Sequence, residues 1–324
     1  MWNGIAPRSK VLICPLDWGL GHVARSTAVA AQLIAMDCTV YWAAPPSLHH
    51  FITEHFPNAI IFQLPAYDVR YSAGRSQVGS MLKQWNKFKK TIRAENAVVR
   101  QCVQLHSFDV IISDHRYGCY HPQVKSVFLA HQLQILLPKA LSWFQTLINK
   151  IHQRQLRHFQ EIWIPDFPNQ TLSGKLSSLQ TKVPQRFIEP QSRFSFSWNQ
   201  TLVLFPFDLN QLHTVLIASG PEPHKTMFIE QTKEQWKQTN SIHLIVSGQL
   251  GESRFERIGE NLWQVNHLNT ESLKLIIKQA KKIICRSGYT SVMDMNVLNK
   301  KAAFIPTPGQ TEQIYLAQKH ASAK

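Results

Sequence analysis

The sequence contains no apolar run near the 18 residues that span a bilayer. The first one, VLICPL, ends at Asp17 and is too short even for an export signal. Cysteines are few and scattered: Cys14, Cys38, Cys102, Cys119 and Cys285 form no C-x-x-C pair, which excludes a disulfide framework and a zinc knuckle. None of the 15 histidines falls in an H-E-x-x-H or another ligand spacing, so no metal site is expected. Acidic residues are also in deficit, 20 against 35 Lys and Arg, giving a net charge of +15. Such an excess points to phosphate-bearing partners or to a strongly solvated surface. The basic residues are not interleaved with any known nucleic-acid reading module, so a nucleic-acid partner is not expected. These absences together predict a cytoplasmic protein, peripheral at most on the inner face of the cell membrane.

What is present is alternation. KVLICPL, TVYWAAP, AIIFQLP, DVIISD, SVFLA and EIWIPD are near-continuous apolar runs, as parallel strands buried on both faces should be. HVARSTAVAAQLIAM between the first two reads as a helix of about four turns. The pattern resumes with strands TVLIAS, IHLIVSG, KKIICRS and KAAFIPT and helices TMFIEQTKEQWKQ and TESLKLIIKQA. Strands alternating with helices predict an α/β chain with two Rossmann-like domains facing across a cleft. The aperiodic, Pro- and Ser-bearing stretch VPQRFIEPQSRFSFSWNQ separates them, giving domains 1–197 and 198–324.

Two basic helices are expected in the first domain. Residues 77–105 carry Val78, Met81, Leu82, Trp85, Phe88, Ile92, Val99 and Cys102 at helical spacing, among Lys83, Lys87, Lys89, Lys90 and Arg93. Residues 138–159 carry Leu141, Phe144, Ile148 and Ile151, with Trp143 nearby, among Lys139, Lys150, Arg154 and Arg157. Each stripe either faces the sheet or offers a basic aromatic surface to anionic lipid.

The chemistry concentrates at strand ends. DWGLGHVARS, residues 17–26, places Gly19, Gly21 and His22 between the first strand and its helix. G-x-G-x-x-A is the dinucleotide fingerprint, but the second strand ends without the acid that would hold a ribose, which argues against NAD. The glycines instead let a ligand near a helix N-terminus, with His22 presented as a general base. The bland alternative is a histidine that caps its helix. In the second domain, Arg286, Ser287 and Gly288 turn tightly from a strand into a helix starting near Tyr289. Asp294, two turns on, can accept from vicinal hydroxyls. Pro306 and Pro308 stiffen a loop leading to Glu312 and Gln313, suited to a sugar ring, and Ser219 with Gly220 leave another strand.

Taken together, CRSG…D…P…EQ…A resembles the GT-B glycosyltransferases of the MurG type, family 28, over nearly the whole chain. The resemblance implies transfer of a hexose or N-acetylhexosamine from a UDP-sugar to a lipid-linked or glycan acceptor, with no metal, no D-x-D pair and no cofactor. It puts Arg286, Ser287 and Gly288 on the R-S-G turn, Asp294 in place of a ribose-binding glutamate, and Glu312 and Gln313 at the donor sugar. Ser219 and Gly220 sit at the phosphate loop, where Pro221 and Pro223 depart from the pattern. GLGHVARS is similar to the family's G-x-G-G-H loop, with Leu20 in place of one glycine, and also to the GHVMR loop of nucleotide-sugar hydrolases. Asp17, Gly19, Gly21, Asp114 (in SDHRYG) and His131 (in AHQL) fall on the acceptor side. GT-B chains end with a helix crossing back onto the first domain, and this one stops at LAQKHASAK ahead of it. A UDP-sugar hydrolase or epimerase, or a non-catalytic nucleotide-sugar binder, is the alternative on the same fold.

Overall fold

The computed structural model describes residues 2–69, 84–236 and 240–321. The chain forms two compact units and passes from one to the other between Gln191 and Ser192. This crossing lies upstream of the expected 197. Phe194 is already buried in the second unit's core beside Leu212, Val215 and Leu273.

The first unit is built on strands β1 (Lys10–Pro15), β2 (Thr39–Ala44), β3 (Ile60–Gln63), β4 (Val110–Asp114), β5 (Lys125–Leu129), β6 (Glu161–Pro165) and β7 (Gln185–Ile188). All seven are parallel, in the order β3-β2-β1-β4-β5-β6-β7. Helices α1 (Leu20–Ile34), α2 (Pro46–His55), α3 (Trp85–Leu105) and α4 (Gln145–Leu156) belong to this unit. Strands β1, β4 and β5 are buried along nearly their whole length, as central strands of a parallel sheet are. Strand order reverses between β1 and β4, and the crevice at their carboxyl ends is where open α/β sheets bind ligands.

Both basic helices differ from expectation. The first is described from Trp85 onward; Val78, Met81, Leu82 and Lys83 lie outside the described residues. Phe88, Val99 and Cys102 are buried as expected, but Trp85 is exposed, with the Lys89 ammonium over its ring. The second starts as a 3-10 turn over Lys139–Phe144 before α4 begins. Its buried side is Asn149, His152 and Leu156, while Leu141, Phe144, Ile148 and Ile151 are only half-buried. The polar side turns inward because buried side chains there have partners. Asn149 accepts from the Ile135 amide (2.8 Å), and His152 Nδ1 lies 2.8 Å from the Tyr117 hydroxyl.

The second unit carries β8 (Leu212–Ile217), β9 (Ile242–Val246), β10 (Phe255–Arg257), β11 (Leu262–Val265), β12 (Lys282–Arg286) and β13 (Ala303–Ile305). They are ordered β10-β11-β9-β8-β12-β13, with β10 antiparallel to β11 and the remaining pairings parallel. Helices α5 (His224–Trp236), α6 (Thr270–Gln279), α7 (Tyr289–Val297) and α8 (Thr311–Ala321) complete it. The Asn269 side chain caps α6 by accepting from the Ser272 amide (2.9 Å). Here the order reverses between β8 and β12. All five cysteines are free and buried, and among the described residues no helix is long and apolar enough to cross a membrane.

Candidate functional site

The β1–α1 turn is set by Gly19, whose φ of +91° is a region other residues avoid; Gly21 already lies in the first turn of α1. A Cβ on Gly19 would meet nothing within 4 Å. Helix α1 has no side-chain cap, so His22 does not serve as one. Its Nδ1 instead lies 2.8 Å from Asp114 Oδ1 at the end of β4. Pairing of Pro15 with Asp114 in the β1–β4 ladder brings the two together across 92 residues.

Asp114 is fully buried and crowded with donors. Arg25, one turn beyond His22 on α1, grips both its oxygens, Nε to Oδ2 at 2.7 Å and NH2 to Oδ1, and Ser26 Oγ donates to Oδ2 at 3.1 Å. The guanidinium also meets His131 Nδ1 (2.9 Å), His115 Nδ1 (3.0 Å) and His22 Nδ1 (2.9 Å). Burial alone would raise the Asp114 carboxyl, but Arg25 and His22 beside it, with hydrogen bonding from Arg25 and His115, hold it well below the usual carboxylate range. Burial lowers the His22 imidazole, helped by Arg25 and opposed by Asp114. His22 is therefore neutral at physiological pH, with Asp114 fixing its orientation. Its Nε2 has no hydrogen-bond partner among the described residues. A neutral ring nitrogen of this kind can accept a proton.

His22, Asp114 and His115 lie close enough together to suggest a cation site. The Arg25 guanidinium stands among the same three atoms, and its charge repels a metal there.

Asp17, expected on the acceptor side, is committed to the scaffold. It accepts from Arg116 NH2 and from the Tyr67 amide, both at 3.0 Å. Arg116 is fully buried. It donates also to Glu95 Oε1 (2.6 Å) and to the carbonyls of Pro15 (2.7 Å) and Pro65 (3.1 Å). His115, between Asp114 and Arg116, has a φ of +58°, and this left-handed residue marks the turn where β4 ends.

In the second unit, the loops after β8 and β12 meet the reversal of strand order. Gly220 adopts φ +105°, and a Cβ on it would sit 3.8 Å from Thr307 Oγ1, a buried hydroxyl with no hydrogen-bond partner among the described residues. Ser219 is exposed beside it. Gly288 precedes α7 without a capping side chain, a Cβ there would meet nothing within 4 Å, and Tyr289 is buried. Asp294 Oδ1 accepts from Ser192 Oγ at 2.6 Å, and burial pushes its carboxyl up to about 6 against the pull of Arg193. Ser287 Oγ donates to the Gln313 carbonyl (2.7 Å), and Gln313 Oε1 accepts from the Thr307 amide (2.8 Å), while Glu312 lies in the first turn of α8. Arg286 is turned inward. It donates to the carbonyls of Pro306 and His224 (both 3.0 Å) and lies 3.9 Å above the Phe228 ring. Ser287, Arg286 and Gln313 thus brace this corner rather than project from it.

Sequence reasoning missed Arg25, Ser26 and His115 in the first unit and Ser192 and Thr307 in the second. The i, i+3 spacing of His22 and Arg25 was the one available signal.

Residues 214–324 match the glycosyltransferase family 28 C-terminal domain. Among curated proteins no sequence matches the chain. Of solved structures, the glycotransferase of kitacinnamycin aligns with a TM-score of 0.65 at 13% identity, covering 98% of this chain and 84% of its own. Arabidopsis thaliana UGT89C1 complexed with UDP-L-rhamnose gives 0.58 at 14%, covering 95% and 82%. MurG of Acinetobacter baumannii gives 0.52 at 16%, covering 97% and 83%. Two Rossmann-like sheets, each with its strand order reversing beside a glycine-bearing loop, together with these likenesses, give the chain the GT-B fold, with residues 214–324 similar to the glycosyltransferase family 28 C-terminal domain.

Proposed function

We propose that the protein is a glycosyltransferase that moves a hexose or N-acetylhexosamine from a UDP-sugar to a hydroxyl of a lipid-linked or glycan acceptor. The observation that carries this reading is His22. It is held by the buried Asp114 carboxylate and its Nε2 is unengaged at the carboxyl ends of β1 and β4. As the acceptor oxygen attacks the anomeric carbon and the bond to UDP breaks, Nε2 takes the hydroxyl proton and Asp114 stabilises the imidazolium. Ser219, Gly220, Gly288 and Asp294 receive the donor, its diphosphate meeting main-chain amides at the start of α7 rather than a metal ion or cofactor. UDP-L-rhamnose in UGT89C1 supports the choice of a UDP-sugar.

The same reading seats the protein on the cytoplasmic face of a membrane. Trp143 is 72% exposed and Leu147 52% exposed, and Lys139, Lys150, Arg154 and Arg157 lie around them on one segment. Apolar side chains ringed by lysine and arginine suit an anionic bilayer.

UDP release from UDP-sugars, with and without cell lipids or glycans, tests the function. Acceptor-dependent release that His22→Ala abolishes is expected. Acceptor-independent release would make the protein a hydrolase using the same base on water, and no release at all would leave a nucleotide-sugar binder.

A further inference from the structure

Arg25 has five N–H donors in a fixed fork, and their destinations decide the protonation of the rings around it. Nε goes to Asp114 Oδ2, one NH2 hydrogen to Asp114 Oδ1, and NH1 to His131 Nδ1. The second NH2 hydrogen faces two ring nitrogens, His22 Nδ1 at 2.9 Å and His115 Nδ1 at 3.0 Å, and can serve only one. His22 Nδ1 also lies 2.8 Å from Asp114 Oδ1, where a bare nitrogen would set its lone pair against a carboxylate. It must carry a proton and donate it to Asp114. His115 Nδ1 is 3.5 Å from the same oxygen, too far for a good bond, so it takes the Arg25 hydrogen and keeps its own proton on Nε2.

We propose that Arg25 fixes His22 and His115 in opposite neutral tautomers, so that one ring offers a bare Nε2 as base and its neighbour an Nε2–H as donor to the same acceptor. This rests on the reading that the first unit binds the acceptor. The ring centroids are 5.2 Å apart at 64°, and the side chains are 16% and 13% exposed, so both rings are neighbours and partly open to solvent. Neither Nε2 has a hydrogen-bond partner among the described residues. A base beside a neutral donor suits a hydroxyl flanked by a second oxygen, as on a sugar ring, where His22 deprotonates one oxygen and His115 holds its neighbour. The groups facing His115 are Asp114, Arg25 and His22, with His131 after β5 and His152 on α4 close by. Burial lowers the His115 imidazole to about 4, opposed by Asp114 and helped by Arg25 and His22, so it remains neutral rather than a cation across the working range.

Long-range 15N NMR of the histidine rings in the full chain, between about pH 5 and 8, reads the tautomers without any substrate. The expected result is His22 protonated at Nδ1, and His115 protonated at Nε2 and not titrating. The same tautomer on both rings, or His115 protonated at Nδ1, would overturn the proposal. In Arg25→Lys, which keeps the charge but loses the fork, His115 should become a mixture of tautomers; an unchanged ring in the folded variant would remove Arg25 from the role. His115→Phe keeps a ring without a donor. It should raise the acceptor KM about five- to tenfold, the worth of one neutral hydrogen bond, and leave the donor KM and the acidic limb of the pH profile in place. An unchanged acceptor KM would overturn the binding role of His115. If no acceptor supports transfer while the rings show the expected tautomers, the transferase reading fails and the ring assignment stands.

Discussion

Replacing Asp114 by asparagine separates the two halves of the site's electrostatics. The carboxylate accepts from His22, from Arg25 twice and from Ser26, all within its buried surroundings. Asparagine keeps the shape but sets an NH2 group against donors and leaves the buried Arg25 cation without its counter-ion. Breaking one side of a buried ion pair costs about 3–5 kcal/mol, so the urea midpoint should fall accordingly. The His22 ring also loses the acceptor that fixes its tautomer. In a comparable His–carboxylate pair, the serine-protease example, that loss costs about 10⁴ in kcat. The pH profile supplies the sign. Asp114 raises the His22 imidazole and Arg25 lowers it, so removing the carboxylate drops the imidazole further below 6.5. The acidic limb of kcat/KM should therefore move to lower pH even as the plateau collapses. A variant with the limb unmoved or shifted upward would refute the pairing of Asp114 with His22 as the catalytic unit. Stability carries its own pH signature. The folded carboxyl lies well below its unfolded value, so its contribution is full above about pH 4 and lost as pH falls through the folded value.

Further expectations follow from single contacts. His22→Ala should lower turnover by about two to four orders of magnitude and cost only about 0.5–1.5 kcal/mol of stability, the worth of one hydrogen bond to Asp114, which Arg25 and Ser26 still hold; a loss of stability with intact turnover would reverse the assignment. Gly118→Ala should destabilise by more than about 2 kcal/mol in urea denaturation, since its Cβ would run into the Ile92 carbonyl oxygen and sit 2.8 Å from Glu95; wild-type stability would contradict this packing. Asp294→Ala should weaken UDP binding by about 1–3 kcal/mol in calorimetry. In the wild type that binding should tighten as pH rises through about 6, where the carboxyl ionises. Trp143→Ala should reduce co-sedimentation with anionic vesicles, and added salt should release the wild type; equal recovery with neutral vesicles would leave only a solvated surface.

The strands were legible because burial on both faces turns them into apolar runs, as VLIC in β1 and VII in β4 show. Helix α2 was hidden by Pro45 and Pro46, which read as a break, although Pro46 occupies the first helical position, where its missing N–H costs nothing. Short β7 and β10 carry too few apolar residues to stand out. At the site, His22 and Asp114 were visible as loop residues at strand ends. Arg25 looked like an ordinary helix charge, because nothing local reveals a partner 89 residues away. Asp17 drew attention for its position next to the glycines, while its partner Arg116 lies 99 residues on.

With His22 as the proposed base, the one-to-one ladder between β1 and β4, with Pro15 opposite Asp114, makes activity a reporter of correct folding. A slip of one residue would set Ser113 or His115 opposite Pro15 and swing the carboxylate to the other face of the sheet. A misaligned chain would then lack the partner that orients its base. Folding errors in this unit should produce inert molecules rather than ones that deprotonate the wrong substrate.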